Sequence, residues 1–196
     1  MPALRLFVAV EPPPAVRRRL AALQAEVRRA AGRAADDVRW VAPEQIHLTL
    51  AFLGNAPEER IDAVRGAVAD AAAACAPLHL EVRGAGGFPS ARRPRVVWAG
   101  LAGDLEPLGA LAADLRRRLA PLGFPLEERD FRAHLTLGRS RDRGGARGMA
   151  GALAAANEAD PCAWRADEVV LFRSHLGPGG ARHEALQRAE MGAGAR

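Results

Sequence analysis

The 196-residue sequence contains no lysine and no tyrosine, and it has only two cysteines and two isoleucines. The absence of lysine excludes Schiff-base chemistry and a phosphate-binding loop built around a lysine. Cys75 and Cys162 are far apart and do not have the spacing of metal ligands. Cys75 falls on the apolar stripe of a predicted helix, so we expect a buried, reduced thiol there.

Long hydrophobic segments are also absent. No apolar run reaches the roughly 18 residues of a membrane span, and the run at 4–10 ends at Glu11 and three prolines. We therefore expect a cytoplasmic protein that does not bind membranes. A chain of this length buries roughly 70% of its unfolded surface, which suffices for one domain without disulfides or a structural metal.

Positive charge, by contrast, is abundant and of one kind. All 28 basic residues are arginine, and the net charge is +5. Codon usage in a GC-rich genome explains such a bias, but the planar guanidinium group also suits phosphate. The arginines at 17–19, 28 and 29 lie on the polar side of a predicted helix and are typical of a solvated face. Charge alone therefore leaves codon usage and an anionic partner both open.

Hydrophobic periodicity predicts alternating strands and helices along the chain. Leucines from Leu105 to Leu119 form the inward stripe of the third helix, and the segment from Met191 is expected to fray. The predicted strands are 4–10, 38–41, 46–53, 78–83, 95–101, 131–138, 167–176 and 183–188. The predicted helices are 14–31, 57–75, 104–120 and 149–157.

The tetrapeptide HLTL occurs twice, at 47–50 and 134–137. In each half of the chain a strand and a helix precede it, an order that a chance repeat does not explain. We therefore predict one bilobal domain over 1–190, with an internal duplication at about 4–90 and 91–190 and a frayed tail at 191–196. The predicted fold is α+β, with two pseudo-symmetric lobes that face each other across a central cleft. Each lobe is an antiparallel-rich sheet with helices on its outer face.

Alternation along a strand turns His47 and Thr49 to one face, and His134 and Thr136 likewise. If the lobes face each other, two imidazoles and two hydroxyls converge on one cleft. A neutral histidine accepts a proton from water and a protonated one donates to a leaving alkoxide, so the pair suits displacement at phosphorus. A lone histidine in a strand is usually structural, but the repeated motif favours a shared site. Two histidines make a poor zinc site, so we expect neither a metal nor another cofactor.

At this point the sequence resembles the two-histidine phosphoesterases, and among them the RNA 2′,3′-cyclic phosphodiesterases, also called 2′-5′ RNA ligases. The resemblance rests on RLFVAVEPP at the start, on HLTLAFLG and on FRAHLTLGRS. It implies that an RNA end with a 2′,3′-cyclic phosphate is opened to a 2′-phosphomonoester. It further implies that His47 donates a proton, that His134 accepts one, and that Thr49 and Thr136 hold the phosphate.

The same resemblance assigns Arg139 to the phosphate and Phe52 to stacking on a base. A solvated loop position remains the alternative for Arg139, and core packing remains the alternative for Phe52. Simple alternation places 47, 49 and 51 on one face, so Phe52 reaches the cleft only if the strand twists or ends there. His183 stands where the family often has a tyrosine, and it lies either near the cleft or at its rim.

Other functions remain open at this stage. A related enzyme would cleave 2′-5′ linkages or nucleotide cyclic phosphates. A non-catalytic module would bind RNA through the basic, glycine-rich segment 139–148. The predicted partner in each RNA hypothesis is an anionic RNA or oligonucleotide, and the expected state is a monomer, because the duplication already supplies the symmetry of a dimer.

Overall fold

The computed structural model describes residues 3–124, 130–158, 160–177 and 180–192. Within these ranges the chain folds into strands and helices of an α+β protein, as predicted. The strands are β1 (Ala3–Val10), β2 (Val38–Trp40), β3 (Leu48–Pro57), β4 (Leu78–Phe88), β5 (Val96–Gly103), β6 (Leu135–Ser140), β7 (Cys162–Ala166), β8 (Glu168–Gly177) and β9 (Gly180–Glu190). The α-helices are α1 (Pro14–Ala31), α2 (Ile61–Ala73), α3 (Leu105–Leu119) and α4 (Ala150–Ala155).

The strands form two antiparallel sheets. The first sheet has the order β3-β1-β8-β9, and the second has the order β2-β6-β5-β4-β7. Each sheet takes strands from both halves of the chain, so the lobes interleave rather than follow the sequence halves. One HLTL motif nevertheless belongs to each sheet, in β3 and in β6. The duplication itself stays a prediction about the sequence.

The helices cover the outer faces of the sheets. α2 and α3 pack on the first sheet, and α1 and α4 pack on the second. Val16, Leu20, Leu23 and Val27 of α1 are buried, as their helical spacing predicts. None of the described helices has both the length and the hydropathy needed to cross a bilayer.

Three sequence-based expectations are wrong at the ends of elements. Leu105 is 40% exposed because it is the first residue of α3 and its side chain lies outside the stripe that begins at Leu108. Cys75 lies beyond the end of α2 in a turn and is only half-buried, although that burial still raises the pKa of its thiol. Met191 is 7% exposed, and its amide donates a hydrogen bond of 2.7 Å to the Asp167 carbonyl, so the chain is not frayed there. Residues 193–196 of the expected tail lie outside the described residues.

One buried side chain ties α1 to the second sheet. The Gln24 side-chain amide donates hydrogen bonds to the Val41 carbonyl at 2.7 Å and to the Leu137 carbonyl at 2.8 Å. Gln24 is 6% exposed, so the carbonyls it satisfies have little access to water. It therefore fixes the strand that carries the second HLTL motif against the segment that leads to the first.

We expect Gln24→Met to lower the free energy of unfolding by about 1–2 kcal/mol at similar side-chain volume, because the Val41 carbonyl loses this hydrogen bond and the Leu137 carbonyl keeps only the one from the Val41 amide. Urea denaturation measures the change. Arg29→Met, on an exposed position of the same helix, is the matched control and should change stability by less than ~0.5 kcal/mol. Equal effects of the two substitutions would contradict this role of Gln24.

Candidate active site

The two motif histidines are anchored in the same way. Each lies immediately before its strand rather than inside it as predicted, His47 before β3 and His134 before β6. His47 Nδ1 lies 2.8 Å from the Gln45 carbonyl oxygen, and His134 Nδ1 lies 2.7 Å from that of Arg132. A carbonyl oxygen only accepts, so each Nδ1 carries a hydrogen. The Nε2 atoms are thereby left as the nitrogens that can exchange protons with a ligand.

The threonines follow the predicted alternation. Leu48 and Leu50 are buried in the core on either side of the half-buried Thr49. In β6 the buried Leu135 and Leu137 likewise flank the half-buried Thr136. Although β3 and β6 belong to different sheets, Cα atoms of the two strands approach within 8 Å. The fold therefore brings both motifs to one region.

A β-bulge in each motif strand changes the face of the residues that follow. Thr49 pairs with Ala9 and Phe52 pairs with Phe7, so Leu50 is the extra residue of β3 between them. Ala9 and Phe7 are two residues apart and share a face, and so their partners Thr49 and Phe52 share it as well. This resolves the mismatch that simple alternation predicts for Phe52.

The second bulge lies at the equivalent place. Thr136 pairs with Trp98 and Arg139 pairs with Val96, which makes Leu137 the extra residue of β6. Arg139 therefore shares a face with Thr136, again through a bulge directly after the threonine. The bulges thus give both strands one pattern: a histidine, a threonine two residues on, and a further cleft residue five residues after the histidine.

The further cleft residues are both exposed. Phe52 is 38% exposed and lies outside the hydrophobic core, with the Arg5 guanidinium carbon 4.7 Å from its ring centroid. Arg139 belongs to strand β6 rather than to a loop, and its charge helps to lower the pKa of His47. The arginine therefore lies within electrostatic range of the first motif although it follows the second.

His47 sits among aromatic rings. Its ring centroid is 4.6 Å from that of Phe7, 5.1 Å from that of His183 and 6.4 Å from that of Phe172. Burial lowers the pKa of His47 to about 4, and positive charge on His183 and Arg139 acts in the same direction. The hydrogen bond to Gln45 and the carboxylate of Glu11 oppose the shift without cancelling it. His47 is therefore neutral at neutral pH in the unliganded protein.

His134 has a different aromatic neighbour. Its ring meets that of Phe88 edge-on at 5.2 Å, and Phe88 in turn lies 5.2 Å from Trp98. Gly86 pairs with Trp98, and a Cβ at Gly86 would lie 2.3 Å from the indole. The glycine thus allows the indole to lie flat across β4 beside the second motif.

Sequence reasoning missed Glu11 as part of this region. Val10 pairs with Leu48, so Glu11 follows directly across from His47. Its carboxylate is 2.6 Å from Arg17 and 2.7 Å from Arg188. Burial acts to raise the pKa of Glu11, but hydrogen bonds and charges of the two arginines outweigh it and lower the pKa. The signal in the sequence was a single acid directly after an apolar strand, which does not by itself indicate a site.

His183 and Phe7 are two further neighbours of His47 whose positions could not be predicted from the sequence. His183 pairs with Ser174 of β8 and has no counterpart beside His134 within the described residues. Its Nδ1 is buried without a hydrogen-bond partner there, and burial lowers its pKa. Of the two positions considered for His183, near the cleft or at its rim, the structure shows the former. Only the pairing of β1 with β8 and of β8 with β9 reveals these contacts, and that pairing is non-local.

The cleft holds two carbonyl-anchored imidazoles, two threonines and an arginine. These groups suit an enzyme that acts on phosphate esters, because imidazoles transfer protons and the other side chains bind phosphate oxygens. The model of the LigT-like phosphoesterase family matches residues 10–98 and 102–183, and the chain belongs to that family, as the sequence resemblance predicts. It is therefore an enzyme of the phosphoesterase class.

Individual relatives agree with this assignment. The chain is 31% identical over 177 residues to a protein of Methanothermobacter thermautotrophicus named RNA 2′,3′-cyclic phosphodiesterase, a match that covers 90% of this chain and 93% of the relative. The crystal structure of TT0787 of Thermus thermophilus superposes with a TM-score of 0.79 at 28% identity and covers 98% of this chain and 100% of that one.

E. coli LigT in its apo form gives a TM-score of 0.75 at 26% identity, over 98% of this chain and 99% of the other. The same protein complexed with 3′-AMP gives 0.69 at 25% identity, over 96% and 98% of the two chains.

The low pKa of His47 has a consequence for stability. Below pH 6.5 the unfolded chain takes up a proton at this position that the folded protein does not, until the pH approaches 4. As the pH falls from 6.5 to 4, we therefore expect the free energy of unfolding of the wild type to fall relative to that of His47→Gln. The loss should be up to about 1 kcal/mol per pH unit. Chemical denaturation of both proteins across this range measures the difference. Above about pH 7.5 the difference should be constant, and parallel curves at all pH values would contradict the burial of His47.

Proposed function

We propose that this phosphoesterase hydrolyses the 2′,3′-cyclic phosphate at an RNA end to a 2′-phosphomonoester. The observation that carries the proposal is the repeated arrangement of an anchored histidine, a threonine and a bulge in two strands that meet across the sheets. Relatives that bear the name RNA 2′,3′-cyclic phosphodiesterase support the choice of substrate.

In the proposed reaction His134 Nε2 accepts a proton from water, whose oxygen forms a bond to phosphorus. The bond from phosphorus to the 3′ oxygen breaks, and His47 Nε2 gives its proton to that oxygen. In-line displacement requires the nucleophile and the leaving group on opposite sides of phosphorus, and in this proposal one imidazole from each sheet lies on each side. The order of the two roles follows the family resemblance.

His47 must take up from solvent, when the substrate binds, the proton that it later donates. The pKa of His47 is about 4 in the free protein, so few molecules carry the proton at neutral pH. An anion within about 4–6 Å favours the charged form of the imidazole and raises its pKa. Glu11, across from His47, acts in the same direction. We propose that the negatively charged cyclic phosphate makes His47 a proton donor when it binds.

The remaining cleft residues hold the substrate in this proposal. Thr49 and Thr136 donate hydrogen bonds to the non-bridging oxygens of the phosphate, and the Arg139 guanidinium binds the same group. Phe52 stacks on the terminal base, because its ring is exposed on the same face as Thr49. In the proposed ligation a 5′-hydroxyl end takes the place of water: His134 accepts its proton, its oxygen bonds to phosphorus, the bond to the 3′ oxygen breaks and His47 protonates that oxygen, which leaves a 2′-5′ linkage. Cleavage of the linkage back to the cyclic phosphate uses the same residues with these roles exchanged. Neither reaction requires a metal or cofactor in this scheme, and the active unit is a monomer.

The direct test uses a short RNA with a 2′,3′-cyclic phosphate end in the presence of EDTA. We expect the wild type to release a 2′-phosphate end, and we expect His47→Ala and His134→Ala each to lower kcat by about 10²–10⁴-fold, because each removes one proton-transfer group. Product chromatography and phosphorus NMR identify the phosphate position. His79→Ala is the matched control, since its side chain is 80% exposed and lies beside Asp104 at the start of α3.

Three results would contradict the proposal in different ways. Full activity of either histidine variant would remove that residue from catalysis. Loss of wild-type activity in EDTA would point to a metal. Salt-sensitive RNA binding without turnover would favour the RNA-binding module instead.

The stacking role of Phe52 makes a separate prediction. We expect Phe52→Ala to lower kcat/KM for the RNA end by roughly 5- to 150-fold, the equivalent of about 1–3 kcal/mol for a stacked base, and Phe52→Trp to retain activity. Leu105→Ala is the control, because Leu105 is an apolar side chain that is 40% exposed at the start of α3, a helix on the outer face of the first sheet. An unchanged kcat/KM for Phe52→Ala would show that the ring does not contact the base.

A further inference from the structure

Two arginines lie directly opposite each other on the edge of the second sheet. Arg39 of β2 pairs with Arg139 of β6, and both side chains are exposed. Like charges in directly opposed positions of an antiparallel pair destabilise the sheet. Within the described residues neither guanidinium forms an ion pair with an acid. In the part of the chain that the structure describes, no acid therefore offsets this repulsion through an ion pair.

Both arginines are on the cleft face. Val38, next to Arg39, is 3% exposed and packs in the core, so alternation turns Arg39 to the opposite side. Arg139 reaches that side through the bulge at Leu137, which also aligns it with Thr136. Arg39 consequently extends the row of cleft residues sideways by one strand, about 5 Å, towards the outer edge of the sheet.

The position of Arg39 separates its ligand from that of Arg139. Arg139 is on the same strand as Thr136 and within electrostatic range of His47, which suits the reacting phosphate. β2 is the end strand of its sheet, so the cleft beside Arg39 opens away from the two histidines. An RNA strand presents a second phosphate next to its terminal nucleotide, and a guanidinium binds such a group with two parallel hydrogen bonds.

We propose that Arg39 binds the phosphodiester on the 5′ side of the terminal nucleotide. The enzyme then distinguishes an RNA end from a nucleoside 2′,3′-cyclic phosphate, which has no such group. The proposal deepens the proposed function and rests on it. Binding of the second phosphate also relieves the repulsion between Arg39 and Arg139.

The test compares two substrates, a short RNA with a 2′,3′-cyclic phosphate end and adenosine 2′,3′-cyclic phosphate. We expect Arg39→Gln to lower kcat/KM for the RNA about tenfold, as the loss of a hydrogen bond to a charged group implies, and to change it less than about twofold for the nucleoside. The slope of log kcat/KM for the RNA against log salt concentration should become shallower by about 0.7, the value for one phosphate contact with a single strand. Arg139→Gln should impair both substrates.

Arg29→Gln, an exposed arginine of α1, is the matched control, and Arg39→Lys should recover part of the loss on the RNA. An equal loss on both substrates, or no loss on either, would overturn the role of Arg39 while the proposed function stands. If the wild type hydrolyses neither substrate, the proposed function fails and this inference fails with it. Thermal unfolding of each variant shows whether a loss reflects folding, and a folded Arg39→Gln with an unchanged salt slope would also overturn the proposal.

Discussion

A regular strand turns successive side chains to opposite faces, and the candidate active site cannot be built under that constraint alone. The site uses the residues two and five positions after each histidine. These two residues are three positions apart, so regular alternation would turn the second of them away from the face of the threonine. One extra residue, Leu50 in β3 and Leu137 in β6, restores it. Both leucines remain buried in the core. The bulges therefore turn Phe52 and Arg139 to the cleft face, while the two leucines keep their contacts in the hydrophobic core. The arrangement of the candidate site depends on these two bulges.

The two sheets provide similar backbones but different surroundings. Each imidazole is held through Nδ1 by a carbonyl two residues earlier, which fixes the ring and leaves Nε2 for chemistry. Around His47 the rings of Phe7 and His183 pack against the imidazole, and burial holds its pKa low. The charges of Arg139 and Glu11 act on the same imidazole in opposite directions. A pseudo-symmetric scaffold thus gives its two histidines unequal environments, which a reaction with one donor and one acceptor requires.

Much of this architecture follows from local patterns in the sequence. The apolar spacing predicted both ends of α1, and the repeated HLTL predicted the two strands and the faces of their threonines. β7 was missed, because five residues at the outer edge of a sheet carry a weak pattern. The bulges, the interleaving of the strands between the sheets and the contacts of His183 could not be predicted, because each depends on which distant strand lies alongside. Glu11 becomes part of the site only when β1 pairs with β3, and its neighbour Arg188 comes from the other end of the chain.

The central claim is that a phosphate bound between the two anchored imidazoles turns His47 from a neutral ring into a proton donor. Titration of the ¹⁵N-labelled histidine rings by NMR, with and without adenosine 2′-monophosphate, tests it most directly. We predict that Nδ1 of both rings stays protonated throughout, that both Nε2 signals shift on binding, and that the pKa of His47 rises by at least about one unit from about 4. A bound nucleotide that leaves the titration of His47 unchanged would contradict this claim.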